Sequence, residues 1–158
     1  TRKILAHLGP KDLLVIYEQN PAFRRCLEQL PRNGSPDGGN HPELRIVGKL
    51  IETIDRSERF DYVFSSLPLN NFDPERVDRI LRLLTCLCRE GGTLSYFEYV
   101  GMRALRRYTG GPAGRKRIRS LDRVLHRFLD GHQVERKVVV RNLPPAWVRH
   151  LRQNPGPD

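Results

Sequence analysis

Blocks of apolar residues separated by polar turns predict alternating strands and helices in the first third of the chain. Leu13–Tyr17 is a continuous apolar run, which is typical of a strand buried on both faces of a parallel sheet. Asn20 and Pro21 then indicate a helix start, because asparagine caps helices and proline suits their first turn. We expect a short strand at residues 44–47 and a short helix at residues 48–54.

The middle of the chain carries the strongest helix signal. A strand at residues 62–65 is followed by an Asp-Pro pair at residues 73–74, which predicts the N-cap and first position of a helix. This helix should run over residues 74–89 and end at the Gly-Gly pair at residues 91–92. Its apolar residues form one stripe: Val77, Ile80, Leu81, Leu84 and Leu87. Residues 93–99 predict another strand.

The last third of the chain departs from this alternation. A Gly/Pro/Arg segment leads to a helix with one apolar side, formed by Ile118, Leu121, Leu125 and Phe128. A long strand at residues 134–140, expected to be antiparallel, follows, and we expect a last short helix around Trp147 and Leu151.

The order β-α-β-α-β-α-β predicts an α/β fold with a doubly wound, mostly parallel sheet and an antiparallel C-terminal strand. We find no internal repeat, so residues 1–158 are predicted to form a single domain. Residues 1–8 show helical spacing but lack a preceding cap. We therefore expect the chain to be the C-terminal part of its fold, truncated at the N-terminus.

Composition is that of a soluble globular protein, with 38% hydrophobic and 29% charged residues among 158. No segment has the apolar length of a membrane span. The three cysteines and five histidines show no spacing typical of a zinc site or a hydrolytic triad. We expect no metal, and we expect the thiols to be reduced and to act as small hydrophobic side chains.

Positive charge is concentrated in one segment. Nine basic residues and one acid between residues 103 and 127 give +8 of the total charge of +10. This predicts an anionic partner, either nucleic acid phosphate or an anionic membrane. The run Arg-Lys-Arg-Ile-Arg at residues 115–119 precedes an amphipathic helix, a pattern typical of interfacial membrane helices. Membrane contact is favoured over RNA contact because few aromatic residues interrupt the run.

Two strand ends carry candidate chemistry. Glu18 follows the first strand, where nucleotide-binding α/β folds place a carboxylate that binds ribose, although a loop acid would look the same. Ser65, Ser66, Leu67 and Pro68 end the third strand, where small residues admit a cofactor and carbonyl groups could hold an amine. A tight turn capped by Asn70 and Asn71 is an equally good interpretation of this second segment.

Four segments, in this order, carry a family resemblance: Tyr-Glu-Gln-Asn-Pro-x-Phe (17–23), Phe-Asp-Tyr-Val-Phe-Ser-Ser-Leu-Pro-Leu-Asn-Asn-Phe (60–72), Gly-Gly followed by Tyr-Phe-Glu-Tyr (91–99), and Arg-Asn-Leu-Pro-Pro-Ala (141–146). Together they resemble the bacterial phospholipid N-methyltransferases. That family is a branch of the class I S-adenosylmethionine-dependent methyltransferases and is related to the rRNA adenine dimethyltransferases.

The resemblance implies a Rossmann-like sheet, S-adenosylmethionine as cofactor, and methylation of the amine of phosphatidylethanolamine. The donor would be bound by Glu18, through its ribose, and by Gln19, Lys49, Leu50 and Ser65. The transferred methyl group and the acceptor amine would lie against Ser65, Ser66, Leu67 and Pro68. The acceptor would be bordered by Asn70, Asn71, Phe72 and Tyr99, and its phosphate or an anionic bilayer by Arg115, Lys116, Arg117 and Arg119. The protein would be cytoplasmic and peripheral on the inner face of the membrane.

The chain departs from the family in two places. The glycine-rich loop that wraps the donor's methionine part is absent, and the acid expected after the second strand is replaced around residues 48–50. Two other functions therefore stay open. One is methylation of adenine in RNA, which is disfavoured because Leu69, and not an aromatic residue, follows Pro68. The other is a non-catalytic binding module that keeps only the fold and the basic face.

Overall fold

A computed structural model describes residues 1–31, 39–99, 111–130, 132–139 and 146–152. The chain divides into two compact units, Thr1–Ile54 and Asp55–Asp158, and each unit is described by itself. The single domain expected for residues 1–158 stays a prediction.

The first unit is a pair of parallel strands with short helices. Its elements are α1 (Arg2–Leu5), β1 (Leu13–Tyr17), α2 (Pro21–Glu28), β2 (Glu43–Val47) and a 3₁₀ turn (Ile51–Thr53). Strands β1 and β2 pair in parallel from Leu13 opposite Glu43 to Tyr17 opposite Val47. The strand predicted from the first apolar run is confirmed.

Helix α2 begins as the sequence predicts. The side chain of Asn20 accepts a hydrogen bond from the Ala22 amide at 2.9 Å, and Pro21 occupies the first helical position. The short helix predicted for residues 48–54 is wrong in extent, since only the 3₁₀ turn forms there. Leu50 and Ile54 both have extended backbone angles, and the Thr53 hydroxyl donates back to the Leu50 carbonyl, which closes a single turn.

The second unit is a four-stranded mixed sheet with two helices. Its elements are β3 (Phe60–Ser65), a 3₁₀ turn (Leu69–Asn71), α3 (Pro74–Cys86), β4 (Cys88–Tyr99), α4 (Pro112–Asp130), β5 (Gln133–Val139) and β6 (Ala146–Arg152). The strand order is β3-β4-β6-β5, with β3 and β4 parallel and the other two pairs antiparallel. The α/β class is confirmed, but antiparallel pairs are as frequent as parallel ones among the described strands.

The helix predicted around Trp147 and Leu151 is wrong, because these residues belong to strand β6. This strand pairs with β4 on one side and with β5 on the other along its length. Six of its seven residues have strand partners on both sides, and they gain more hydrogen bonds and packing than an isolated two-turn helix would.

The Gly-Gly pair does not end helix α3. The helix stops at Cys86, and strand β4 starts at Cys88 and contains both glycines. Gly91 has a φ of +70°, and a Cβ on Gly92 would lie 2.8 Å from the Arg89 carbonyl oxygen. Position 91 therefore favours glycine because of its positive φ, and position 92 because a side chain would clash with the backbone. The two glycines lie where the pairing of β3 with β4 is irregular.

The core of the second unit lies between the two helices and one face of the sheet. Helices α3 and α4 pack against each other, and α3 also packs on β4. The predicted stripe of α3 is buried, as are Leu94, Ile118, Leu121, Leu125 and Leu151. Phe128, predicted to share this side of α4, is only half-buried, and Leu129 is buried instead.

Candidate active site

The turn that joins β3 to α3, residues 65–72, is held by its own backbone. The amide of Leu69 donates to the Leu67 carbonyl at 2.8 Å, and Pro68 between them has φ −76° and ψ 73°, an inverse γ-turn. The amides of Asn71 and Phe72 then donate to the carbonyls of Pro68 and Leu69 at 2.8 and 3.2 Å. These bonds give the β3–α3 turn one defined shape.

Two buried side chains anchor this turn and three exposed residues face solvent. Ser65 and Leu69 are 8% and 5% exposed, and the Ser65 hydroxyl accepts a 3.4 Å hydrogen bond from the Leu67 amide. Ser66, Pro68 and Asn71 are exposed. The tight-turn interpretation agrees with these bonds, and the binding of a cofactor or an amine by this segment stays a prediction.

Arg117 of helix α4 reaches this turn. Its Nη2 atom donates to the carbonyl oxygens of Asn70 and Phe72 at 3.2 and 2.8 Å, and its Nε lies 3.5 Å from the Asp73 carboxylate. The structure thus brings together three residues that the sequence marked as substrate-binding, Asn70, Phe72 and Arg117. The guanidinium contacts the turn itself, and its expected role at a substrate phosphate stays a prediction.

Helix α3 starts at the predicted Asp-Pro pair, but without a side-chain cap. Asp73 occupies the N-cap position with an extended backbone, but its side chain makes no capping hydrogen bond. Its carboxylate faces Arg117, which competes with the helix amides for it. One turn into the helix, the Arg76 guanidinium lies 4.5 Å from the centre of the Phe72 ring, a cation–π contact that fixes this side chain.

The basic run lies within helix α4 and not before it, because the helix begins at Pro112. Arg115, Lys116 and Arg119 are exposed, and a surface groove on this side is lined by Pro112, Lys116, Arg119, Asp122, Arg123 and His126. The apolar side of α4 packs into the core. The interfacial-helix interpretation is therefore wrong, since burial leaves α4 no apolar face with which to enter a bilayer. Among the described residues no helix has the length and apolarity of a membrane span.

Glu18 lies at the carboxyl end of β1, as expected. Its amide donates to the Val47 carbonyl, and its Oε1 atom accepts a 2.7 Å hydrogen bond from the Asn20 amide. This is the only hydrogen bond of its carboxylate among the described residues. Glu18 thus supports the turn into α2, the simpler of the two roles considered for it. That Glu18 binds the ribose of the donor stays a prediction.

The remaining candidates are exposed or only partly described. Gln19, Lys49 and Leu50 are exposed beside the carboxyl ends of β1 and β2. Tyr99 is the last residue of β4 and pairs with Ala146 of β6, whereas its side chain lies outside the described residues. Most of the Arg-Asn-Leu-Pro-Pro-Ala segment, residues 140–145, also lies outside them.

Sequence reasoning missed a buried ion pair near the end of β4. The Arg149 Nη2 and Nε atoms lie 2.9 and 3.1 Å from Oε1 of Glu98, and the two side chains are 11% and 7% exposed. Strand alternation could have found it, because Glu98 follows the buried Leu94 and Tyr96 at intervals of two. On the opposite face, the Ser95 hydroxyl and His150 Nδ1 are 2.8 Å apart.

The three cysteines differ in their surroundings. Cys88 is buried, and this burial raises the pKa of its thiol to about 11. The three thiols are free, as expected, but Cys26 and Cys86 are exposed, so the expectation that they pack as small hydrophobic side chains is wrong for these two. Within the described ranges no cluster of His, Cys, Asp or Glu side chains is arranged to hold a metal ion.

Comparisons with known proteins show structures of similar fold but no similar sequence. No protein-family model and no curated protein matches the sequence. The fold is similar to that of N-methyltransferase NodS from Bradyrhizobium japonicum, at 14% identity and a TM-score of 0.60 over 90% of this chain and 74% of that one. It is also similar to a SAM-dependent methyltransferase from Methanosarcina mazei, at 12% identity and a TM-score of 0.59 over 91% and 83% of the two chains.

A third similar structure is the 16S rRNA (adenine(1408)-N(1))-methyltransferase from Catenulisporales acidiphilia, at 16% identity and a TM-score of 0.57 over 92% of this chain and 75% of that one. At such identities the likeness concerns the fold. The chain has an α/β fold similar to that of the class I S-adenosylmethionine-dependent methyltransferases.

Proposed function

We propose that this chain is an S-adenosylmethionine-dependent methyltransferase that acts on a nitrogen atom of an anionic substrate. The observation that carries the proposal is the β3–α3 turn. It is held by its own backbone hydrogen bonds, lies at the carboxyl end of a parallel strand, and exposes Ser66, Pro68 and Asn71. In open α/β sheets this end of the strands is where ligands bind. Structures with a similar fold hold S-adenosylhomocysteine or S-adenosylmethionine.

Glu18 fits the ribose of the donor. Its carboxylate is half-buried at a strand end and keeps one oxygen without a hydrogen bond among the described residues, so it can accept from ribose hydroxyls. Gln19, Lys49 and Leu50 would border the same ligand. When bound, S-adenosylmethionine supplies an electrophilic methyl group on a sulfonium.

The β3–α3 turn would position the acceptor. Its backbone is already ordered, so little conformational freedom remains to be lost when a substrate binds. Ser65, Ser66, Leu67 and Pro68 would lie against the transferred group, and exposed small residues would let a nitrogen atom approach closely. Methylation of a neutral nitrogen requires placement and exclusion of water more than a strong base.

For the acceptor we propose the amine of a phospholipid headgroup such as phosphatidylethanolamine. Arg115, Lys116 and Arg119 are exposed on α4 and would contact lipid phosphates, with each basic residue near an anionic surface contributing about 1 kcal/mol. Since the apolar side of α4 is buried, this contact would be electrostatic and peripheral.

Adenine in ribosomal RNA is the second candidate acceptor. The exposed face of α4 is basic and its apolar side is buried, which suits a phosphate backbone as well as a membrane. One structure of similar fold is an rRNA adenine methyltransferase. Against this candidate, Leu69 follows Pro68 and is 5% exposed, so its side chain does not offer a surface for stacking on a base.

Methyl transfer from labelled S-adenosylmethionine tests both acceptors. The protein would be incubated with phosphatidylethanolamine vesicles and separately with ribosomal RNA. We expect label in the lipid. Label in RNA alone would contradict the lipid proposal and support the second candidate. Label in neither acceptor, together with no binding of the donor, would support a non-catalytic binding module.

A further inference from the structure

Arg117 differs from its neighbours in the basic run because it points into the protein. Its side chain is 31% exposed, whereas those of Arg115, Lys116 and Arg119 face solvent. Its two carbonyl partners, Asn70 and Phe72, lie 47 and 45 residues away in the sequence. The contacts therefore join helix α4 to the β3–α3 turn, which no local sequence pattern requires.

The geometry of these contacts uses the shape of a guanidinium. One nitrogen atom, Nη2, bridges the carbonyls of Asn70 and Phe72 at 3.2 and 2.8 Å, and Nε faces the Asp73 carboxylate at 3.5 Å. The two carbonyls span the second half of the 3₁₀ turn and the start of α3. A lysine ammonium is a single point on a flexible stem, so it would reproduce these contacts only in part.

Phe72 is held from two sides by cations. The Arg117 fork binds its carbonyl, and the Arg76 guanidinium lies over its ring. Both its backbone and its side chain are therefore fixed at the point where the turn meets α3. Such double restraint is what positioning of a substrate requires, because small displacements of a binding group reduce catalytic rates strongly.

We propose that Arg117 is a positioning residue that holds the β3–α3 turn in its substrate-binding shape, and that it does not bind substrate phosphate. The consequence for catalysis rests on the proposed function. The claim that Arg117 orders the β3–α3 turn is independent of the proposed function and can be tested without an activity assay.

Hydrogen exchange tests the structural part. In Arg117→Met we expect the amides of Leu69, Asn71 and Phe72 to exchange at least about tenfold faster, since the charge-assisted bonds that hold the turn are lost. Amides inside α3 should be unchanged. The matched control is Arg127→Met, which removes an exposed arginine from the last turn of the same helix. Unchanged exchange in the turn, or equal acceleration inside α3, would overturn the proposal.

Steady-state kinetics test the consequence for catalysis. With the acceptor found by the labelling assay, Arg117→Met should raise the acceptor KM about tenfold and leave the donor KM unchanged. Arg117→Lys should recover part of this loss, and Arg127→Met should match the original protein. An unchanged acceptor KM would overturn the positioning role. Inactivity of the original protein on every acceptor would contradict the proposed function, while exchange would still decide whether Arg117 orders the turn.

Discussion

At the scale of single residues, the Glu98–Arg149 pair is the contact whose loss should cost most. Both side chains are almost entirely buried, at 7% and 11% exposure. Glu98→Gln keeps the shape but removes the buried negative charge beside Arg149, and we expect a loss of about 3–5 kcal/mol in the free energy of unfolding. Urea unfolding measures it.

The control for this substitution is an exposed pair of the same type. Asp78 and Arg82 lie 2.8 Å apart on α3, with Arg82 71% exposed. Asp78→Asn should therefore cost less than about 1 kcal/mol. Equal losses at the two sites would contradict the claim that burial makes the Glu98 pair important.

The cysteines give a second prediction at this scale. At about pH 8 a disulfide reagent should modify Cys26 and Cys86 rapidly and Cys88 only after unfolding, because its raised pKa leaves little thiolate. Rapid reaction of three thiols in the folded protein would contradict this.

The same pKa shift predicts how stability changes at high pH. Above the ordinary cysteine pKa of about 8.5, the unfolded chain loses a proton that folded Cys88 keeps up to about pH 11. Unfolding therefore releases a proton in this interval, and the contribution of Cys88 to stability falls as pH rises through it. Replacing Cys88 by alanine should remove this part of the pH dependence, measured by urea unfolding at several pH values.

At the scale of elements, two glycines should respond in opposite ways to alanine. Gly92→Ala places a Cβ 2.8 Å from the Arg89 carbonyl oxygen in β4, and we expect a loss of about 1–3 kcal/mol. Gly114 lies in α4, and apart from the backbone of its own helix and its chain neighbours no atom lies within 4 Å of the added carbon. Gly114→Ala should therefore stabilise the protein by about 0.5–1 kcal/mol. Thermal unfolding of both variants would show this, and a neutral Gly92→Ala would contradict the close approach.

Elements fixed by local signals could be predicted from the sequence. Strand β1 and the start of α2 follow from an apolar run and an Asn-Pro cap, and both are confirmed. Strand β6 could not, because residues 146–152 become a strand by pairing with β5 and also with β4, which is distant in the sequence. The prediction that the Gly-Gly pair ends α3 is wrong for the same reason, because the role of this pair depends on the pairing of β4 with β3.

At the scale of the whole molecule, the exposed basic face of α4, whose apolar side is buried, predicts strongly salt-dependent binding to anionic surfaces. Sedimentation with anionic vesicles should show binding at low salt and almost none at about 1 M salt, where the screening length is roughly 3 Å. Neutral vesicles serve as the control. Binding that persists at high salt would contradict the burial of α4's apolar side, because insertion of apolar groups is not screened.

The candidate site could be predicted from sequence only as separate pieces. The strand ends at Glu18 and at residues 65–68 follow from local pattern. The contact of Arg117 with Asn70 and Phe72 could not be foreseen, since it depends on how α4 packs against α3. The spacing of apolar residues in α4 predicts that the helix has an apolar side. The spacing does not predict whether protein or membrane covers that side.

Calorimetric titration of S-adenosylmethionine into the protein tests whether Glu18 and the β3–α3 turn both bind the donor. The donor should bind at one site per chain, and Glu18→Gln and Ser66→Phe should each weaken it at least about tenfold, through a lost charged acceptor and a blocked approach respectively. Glu28→Gln, on the exposed side of α2, should change nothing. Absence of saturable binding, or unchanged affinity in Glu18→Gln or Ser66→Phe, would contradict the claim that both strand ends bind the donor.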